Sequence, residues 1–244
     1  MEHRLENMRV VLVATRNPLN IGAVARAMSN FGAPHLRVVD PYEPSFREAK
    51  SAVGAAALLA KAQEFPTVAQ AVADCTLVVG TTAIGNRQIK QPLRDLQDAG
   101  PLIQKRMAAG KVALLFGSEK RGLSNEDLSY CHWLVHIPTR EEHRSMNLGQ
   151  AVAVCLYEIA REEGKARTTK VKVQEEKFAQ VETVERITAE LLEVLRASEY
   201  VAPRGNALAE KKLRRMMRRF ALEAADAEVF LGMVKKIAWK LNRG

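Results

Sequence analysis

At 244 residues the chain can hold one large domain with a small companion, or two modest ones, and its 47% hydrophobic residues supply an ordinary soluble core. No apolar run approaches a membrane span, and the opening Met1-Glu2-His3-Arg4-Leu5-Glu6-Asn7 has neither the apolar stretch nor the cleavage site of a secretory signal, so a cytoplasmic protein is expected. The net charge of +9 is lopsided: residues 165–244 hold 18 Lys and Arg against 11 Asp and Glu, and residues 1–164 hold 19 against 17, which points to a polyanion engaged mainly from the C-terminal end.

Five compact apolar runs, in or beside Gly, Pro or Asp, read as strands buried on both faces: Val10–Ala14, Leu36–Val39, Thr76–Gly80, Val112–Gly117 and Trp133–Ile137. Helical patterns lie between them and after them, at Ile21–Phe31, Glu48–Gln63 and Leu148–Glu163, the last placing Val152, Leu156 and Ile159 on one stripe. Strand–helix alternation of this kind predicts an α/β unit with a parallel sheet covered on both sides. The polar stretch Glu162 to Lys170 then has no apolar period and reads as a linker, dividing the chain into residues 1–164 and 165–244. Beyond it three amphipathic helices are predicted, marked by Val181 to Leu195, by Leu213, Met217 and Phe220, and by Val229 to Leu241, with a break at Pro203-Arg204-Gly205-Asn206. The middle one carries Lys211, Lys212, Arg214, Arg215, Arg218 and Arg219, which suits contact with an RNA backbone, the alternative being a solvated face.

Cys75, Cys131 and Cys155 are an odd count lying in or beside apolar runs and are expected as buried thiols rather than a disulfide framework. Cys131, His132, His136 and His143 cluster, but their spacing fits no paired-ligand pattern, and no metal is expected.

Three blocks sit at strand-to-helix junctions. The first, Asn17-Pro18-Leu19-Asn20-Ile21-Gly22-Ala23 running on to Arg26, follows the first strand, with Asn20 as the expected helix cap. The second, Gly117-Ser118-Glu119-Lys120-Arg121-Gly122-Leu123-Ser124, has two glycines ahead of Ser124, itself an expected cap; it lacks the spacing of a P-loop or a dinucleotide fingerprint. The third runs from Ile137-Pro138-Thr139 to Ser145-Met146-Asn147-Leu148-Gly149, where Ser145 or Asn147 caps the last long helix. Each alone is an ordinary capped helix. In conjunction, over about residues 8–163, their order and spacing resemble the SPOUT superfamily of RNA methyltransferases, in particular its TrmH-like 2'-O-ribose methyltransferases. Within these the opening block and Val78-Val79-Gly80-Thr81-Thr82-Ala83 are most similar to the TrmJ group, which acts on tRNA cytidine and uridine. One departure is Gly149, where Ala or Ser is usual.

The resemblance implies a Rossmann-like parallel sheet with a C-terminal trefoil knot, carrying a small all-helical RNA-binding extension. It implies S-adenosyl-L-methionine bound bent in the knot against Thr81, Thr82, Ala83, Gly117, Ile137, Arg144, Ser145 and Met146. It gives Arg26 the task of acting on the ribose 2'-OH, with Asn20, Glu119, Ser145 and Asn147 positioning it, the cofactor and the substrate. An arginine stays protonated and makes a poor base, so holding phosphate and stabilising developing alkoxide charge suits it better. The implied product is 2'-O-methylated tRNA, at anticodon-loop position 32, made by a homodimer that packs through its knot helices. The alternatives are an rRNA 2'-O-methyltransferase of the same fold and a non-catalytic RNA-binding protein.

Overall fold

The computed structural model describes residues 5–41, 47, 49, 51–83, 89–143, 145–161, 177–201 and 206–241. The first strand, β1 (Met8–Val13), is buried at every position and lies at the heart of the sheet. It pairs in parallel with β2 (His35–Val39) on one side and with β6 (Val112–Phe116) on the other. Beyond β2 lies β3 (Gln63–Phe65); beyond β6 lie β4 (Leu77–Thr81), β7 (Trp133–His136) and, at the far edge, β5 (Leu93–Asp95). All six pairings are parallel, and the order is β3-β2-β1-β6-β4-β7-β5.

Strand alternation divides the interior into two layers. Met8, Val10 and Leu12 of β1 face a core built with α1 (Pro18–Phe31), α4 (Leu96–Ala109) and α6 (Leu148–Ala160). Val11 and Val13 face the opposite core, with α3 (Val68–Ala71), α5 (Asn125–Ser129) and Val181. The tail forms α7 (Val181–Ala197), α8 (Asn206–Phe220) and α9 (Ala224–Leu241), around a cluster of their own that includes Ile187, Met217 and Leu231. It also docks on the sheet unit: Val181 N–H donates to Cys75 O at 2.8 Å, and the Arg106 guanidinium lies 3.4 Å from the centre of the Phe178 ring.

Two sequence expectations change. The helix expected over Glu48–Gln63 is only α2 (Ala56–Ala60), because Gly54 takes a left-handed φ of +73° ahead of it and Gln63 joins β3. The basic helix is not an open cationic face. Arg214 and Arg218 are buried, Arg214 against Glu185, Glu126 and Glu210, and Arg218 against Glu185, so two of the six cations tie α8 inward. The expected linker, residues 162–170, lies outside the described residues, as does most of the expected break at 203–206.

Candidate active site

Four parallel strands, β1, β6, β4 and β7, end side by side, and the loops leaving their C-terminal ends build one cleft, the usual place for a ligand in an open α/β sheet. At the end of β1, Ala14 holds a left-handed φ of +51° while its N–H donates to Val39 O at 2.9 Å, which turns the chain sharply toward α1. Asn17, not Asn20, caps that helix, accepting from Leu19 N–H at 3.0 Å, with Pro18 pre-set for the first helical position. The Asn20 side chain is thereby released for other work. Its Nδ2 donates to Glu119 Oε1 at 2.7 Å, and its Oδ1 accepts from Asn147 Nδ2 at 3.3 Å. A carboxylate only accepts, so this amide orientation is forced.

The loop carrying Glu119 is a tight turn. Gly122, at φ +64°, donates its N–H to Ser118 O at 2.8 Å. Gly117 has no space for a side chain: a Cβ would sit 2.0 Å from Gly122 C and 2.1 Å from Leu123 N. Ser124 then caps α5 in a reciprocal box with Asp127. At the end of β4, Thr81 Oγ1 donates to Leu115 O at 2.9 Å and Thr82 N–H to Val135 O at 3.0 Å, which braces this strand end against both neighbours. Asn147 caps α6 through Gly149 N–H at 2.9 Å. A Cβ on Gly149 would lie 2.8 Å from Ala23 Cβ, so the glycine lets α1 and α6 close together, and Asn147 reaches Asn20.

The resulting cleft is about 630 Å³ and is lined by Asn20, Thr81, Thr82, Ala83, Gly117, Glu119, Ile137, Ser145, Met146 and Asn147, with an apolar floor from Leu123, Val135 and Leu148. These are the sequence-predicted site residues, from all three blocks and from Thr81-Thr82-Ala83, brought together except for two. Arg144 lies outside the described residues. Arg26 does not line the cleft: it is exposed on α1, six residues past Asn20, which on a helix is about 120° round the axis and nearly two turns along. A second cavity of about 520 Å³ adjoins the first, sharing Asn20, Ser118, Glu119, Lys120 and Arg121 and adding Ala14, Arg16 and Asn17. The three cations Arg16, Lys120 and Arg121 were missed as site residues; for Lys120 and Arg121 the signal was the run Ser118-Glu119-Lys120-Arg121 held between two glycines.

The cysteines and histidines have other duties. All three thiols are buried, and burial pushes Cys75 and Cys155 up to about 12, so neither is a nucleophile at neutral pH. His132 Nδ1 accepts from Val78 N–H at 3.1 Å, and burial, then Arg218 and Arg106, hold this imidazole well below its ordinary range. His136 faces Asp95 at 3.3 Å. Among the described residues no three His, Cys, Asp or Glu side chains group as a metal site would require.

With this geometry in view, residues 7–157 match the model of the SpoU rRNA Methylase family. The chain belongs to that family. It is 34% identical over 235 residues to a tRNA (cytidine/uridine-2'-O-)-methyltransferase TrmJ of Sodalis glossinidius, covering 96% of this chain and 92% of that one. A TrmJ of Klebsiella pneumoniae is 35% identical over 250 residues, covering 98% and 99%. Among solved structures, TrmJ from Z. mobilis ZM4 superposes with a TM-score of 0.81 at 29% identity, over 94% of this chain and 98% of that one. The likeness to TrmJ therefore extends through the helical tail, and the methyltransferase family and α/β fold expected from the sequence are both borne out.

Proposed function

We propose that this protein transfers a methyl group from S-adenosyl-L-methionine to the ribose 2'-OH of cytidine or uridine in tRNA, in the anticodon loop. The observation that carries the reading is the Asn147–Asn20–Glu119 chain, which joins the three family blocks across separations of 127 and 99 residues at the mouth of one cleft. The TrmJ relatives, matched over nearly their full length, supply the substrate.

The cleft suits the cofactor. Its apolar floor fits an adenine ring, and the bare backbone at Gly117 leaves peptide groups open to read the ring's edge alongside Thr81, Thr82, Ala83, Ile137 and Met146. Ser145, and Arg144 by family likeness, complete the set. When bound, the cofactor supplies an electrophilic methyl on a sulfonium whose leaving group departs neutral. The chain's own residues then have positioning to do. Glu119 and Asn147 fix Asn20 between them; Arg16, Lys120 and Arg121 place cationic charge in the adjoining cavity, where a ribose with its phosphates fits.

Arg26 completes the site from a second copy. Its distance from its own cleft supports this, as do the exposed apolar side chains Leu19, Val154 and Tyr157 on α1 and α6, a surface suited to a homodimer. The segment after Ile137, threaded into a trefoil knot, would present α6 to that partner; β7 lying between β4 and β5, with α6 returning against α1, supports the threading. Arg26→Ala should lower single-turnover transfer to tRNA by about 10²–10³ with cofactor affinity intact. Mixing Arg26→Ala chains with Asn147→Ala chains should restore activity, since one site per mixed dimer is whole. A mutant with near-normal turnover ends the Arg26 assignment, and mapping of 2'-O-methyl groups in RNA from a deletion strain tests the substrate.

A further inference from the structure

The cations of α8 do not behave alike. Arg214 is fully engaged, with Glu185 at 2.9 Å, Glu126 at 3.0 Å, Glu210 at 2.6 Å and Ser129 Oγ at 3.0 Å. One turn on, Arg218 is 2% exposed and, among the described residues, bonds only Glu185, through Nη2 at 2.6 Å. Its Nε and Nη1 are buried with no acceptor among the described residues. A guanidinium stays charged and carries five donors in a rigid fork, so an interior arginine with two idle nitrogens is a group awaiting an anion.

Arg218 lines a cavity of about 460 Å³ at the seam between the sheet edge and α8, and among the described residues no Asp or Glu lines it. Arg94 from β5, Lys105 and Arg106 from α4, and Arg219 from α8 line it too. Arg94 is steadied over the Trp133 ring at 5.6 Å and Arg106 over Phe178 at 3.4 Å. His132 adds a neutral donor: with Nδ1 occupied by Val78 N–H, its proton sits on Nε2. Five cations from three elements with no lining counter-charge repel one another, and a tetrahedral oxyanion answers all of them where a carboxylate would fill one fork.

We infer that this seam holds a backbone phosphate of the RNA substrate, remote from the reacting ribose; the inference rests on the RNA-methyltransferase reading above. The cavity borders the starts of β4, β5 and β7, through Leu77, Arg94 and Trp133, whereas the cofactor cleft lies at the ends of β4 and β7. The length of β7, from Trp133 to His136, is ~10 Å along the strand. Arg94, Lys105 and Arg219 stand exposed at the rim, so a chain passing over the sheet edge can set one phosphate against buried Arg218. The tail thus recognises RNA through its junction with the catalytic unit, not through a free cationic face.

The test uses the full-length chain, inorganic phosphate with chloride as the matched-ionic-strength control, and tRNA. Phosphate should raise the melting temperature of the wild type and compete with tRNA. The rim double variant Lys105→Ser/Arg219→Ser should lose the phosphate-dependent rise and at least about tenfold in tRNA affinity, and its salt slope should shrink by about 1–2. Its affinity for S-adenosyl-L-methionine should not change. Arg218→Lys, which keeps a charge for Glu185 but not the fork, should lose the phosphate response as well. Wild-type tRNA methylation together with an unchanged affinity and slope in the double variant would overturn the seam site while leaving the enzyme reading intact. A phosphate response at the seam with tRNA binding indifferent to the rim would make free phosphate the ligand and overturn the RNA assignment. Failure of the wild type to bind or methylate any tRNA would instead overturn the substrate reading, and this inference with it.

Discussion

Gly117→Ala is the smallest change that should close the cofactor cleft. A Cβ at this position would meet backbone, not a yielding side chain, at 2.0 Å from Gly122 C and 2.1 Å from Leu123 N. Relief requires the Gly122–Leu123 peptide to retreat by more than an ångström. That peptide is pinned from both sides, by the Gly122 N–H bond to Ser118 O at 2.8 Å and by the buried Leu123 side chain. Overpacking of this kind costs about 1–3 kcal/mol, and losing the turn's hydrogen bond adds about 0.5–1.5 kcal/mol. A total of about 2–4 kcal/mol corresponds to a fall in melting temperature of about 4–16 °C for a chain of this size. Because the displaced turn carries Glu119, the Asn20–Glu119 bond should break with it, and affinity for S-adenosyl-L-methionine should fall more than tenfold by calorimetry. Gly232→Ala is the control: it lies within α9 with nothing within 4 Å of the new Cβ, so the variant should gain up to about 1 kcal/mol. A Gly117→Ala protein that melts within a degree of wild type and binds cofactor normally would refute the steric account of this loop.

Three further outcomes follow from the same geometry. Arg214→Ala should destabilise by about 3 kcal/mol in urea, near the low end for a broken buried pair because Glu185 keeps Arg218 and Glu126 keeps Lys211; Arg219→Ala, on an exposed side chain, should stay within about 0.5 kcal/mol. His132 titrates below its unfolded value, so the unfolded chain takes up the proton first and stability falls as pH drops below about 6.5; between pH 7.5 and 5.5 this group should cost up to about 1.4 kcal/mol. His132→Asn, whose amide oxygen can still accept from Val78 N–H, should show a correspondingly flatter stability profile over that window, and an unchanged slope would show the imidazole to be titrating freely. Asn20→Ala should leave α1 as stable as before within about 0.5 kcal/mol, since Asn17 is the cap, whereas Asn17→Ala should cost about 1 kcal/mol; equal losses would reverse the cap assignment.

The central strands were legible because burial on both faces forces continuous apolar runs, as in Val112–Phe116. The edge strands were not. Gln63-Glu64-Phe65 and Leu93-Arg94-Asp95 are short and mostly exposed, and only their pairing with β2 and β7 makes them strands. The helix α4 was hidden by Gly100-Pro101, a dipeptide that reads as a turn yet lies inside the helix. Arg37 shows how a charge can sit in a buried strand without spoiling it: its guanidinium bonds Asp74 at 2.6 and 2.9 Å and Ala71 O at 2.7 Å, partners more than 30 residues away. The basic helix was misread for the same reason. Six cations within nine residues look like one surface until Glu126 and Glu185 arrive from other elements to claim three of them, Lys211, Arg214 and Arg218.

The site itself was legible as residue types but not as geometry. Asn20, Glu119 and Asn147 could each be picked out beside a strand end, yet which of Asn17 and Asn20 capped α1 decided whether Asn20 could reach the other two. Pro18 was the local signal, since proline favours the first helical position and so makes Asn17 the cap. The outcome separates two tasks in space. The proposed methyl-donor pocket is assembled within one chain from four neighbouring strand ends, and its polar chain ends on a carboxylate already satisfied by Asn20. Arg26, the cation assigned to the nucleophile, sits on a different face of α1 with no ion-pair partner among the described residues. A sulfonium donor needs a shaped, largely apolar pocket and little else. A ribose hydroxyl needs positive charge brought close as its own charge develops. On the proposed reading that charge is Arg26 of a second copy, so it reaches the hydroxyl only where two chains meet.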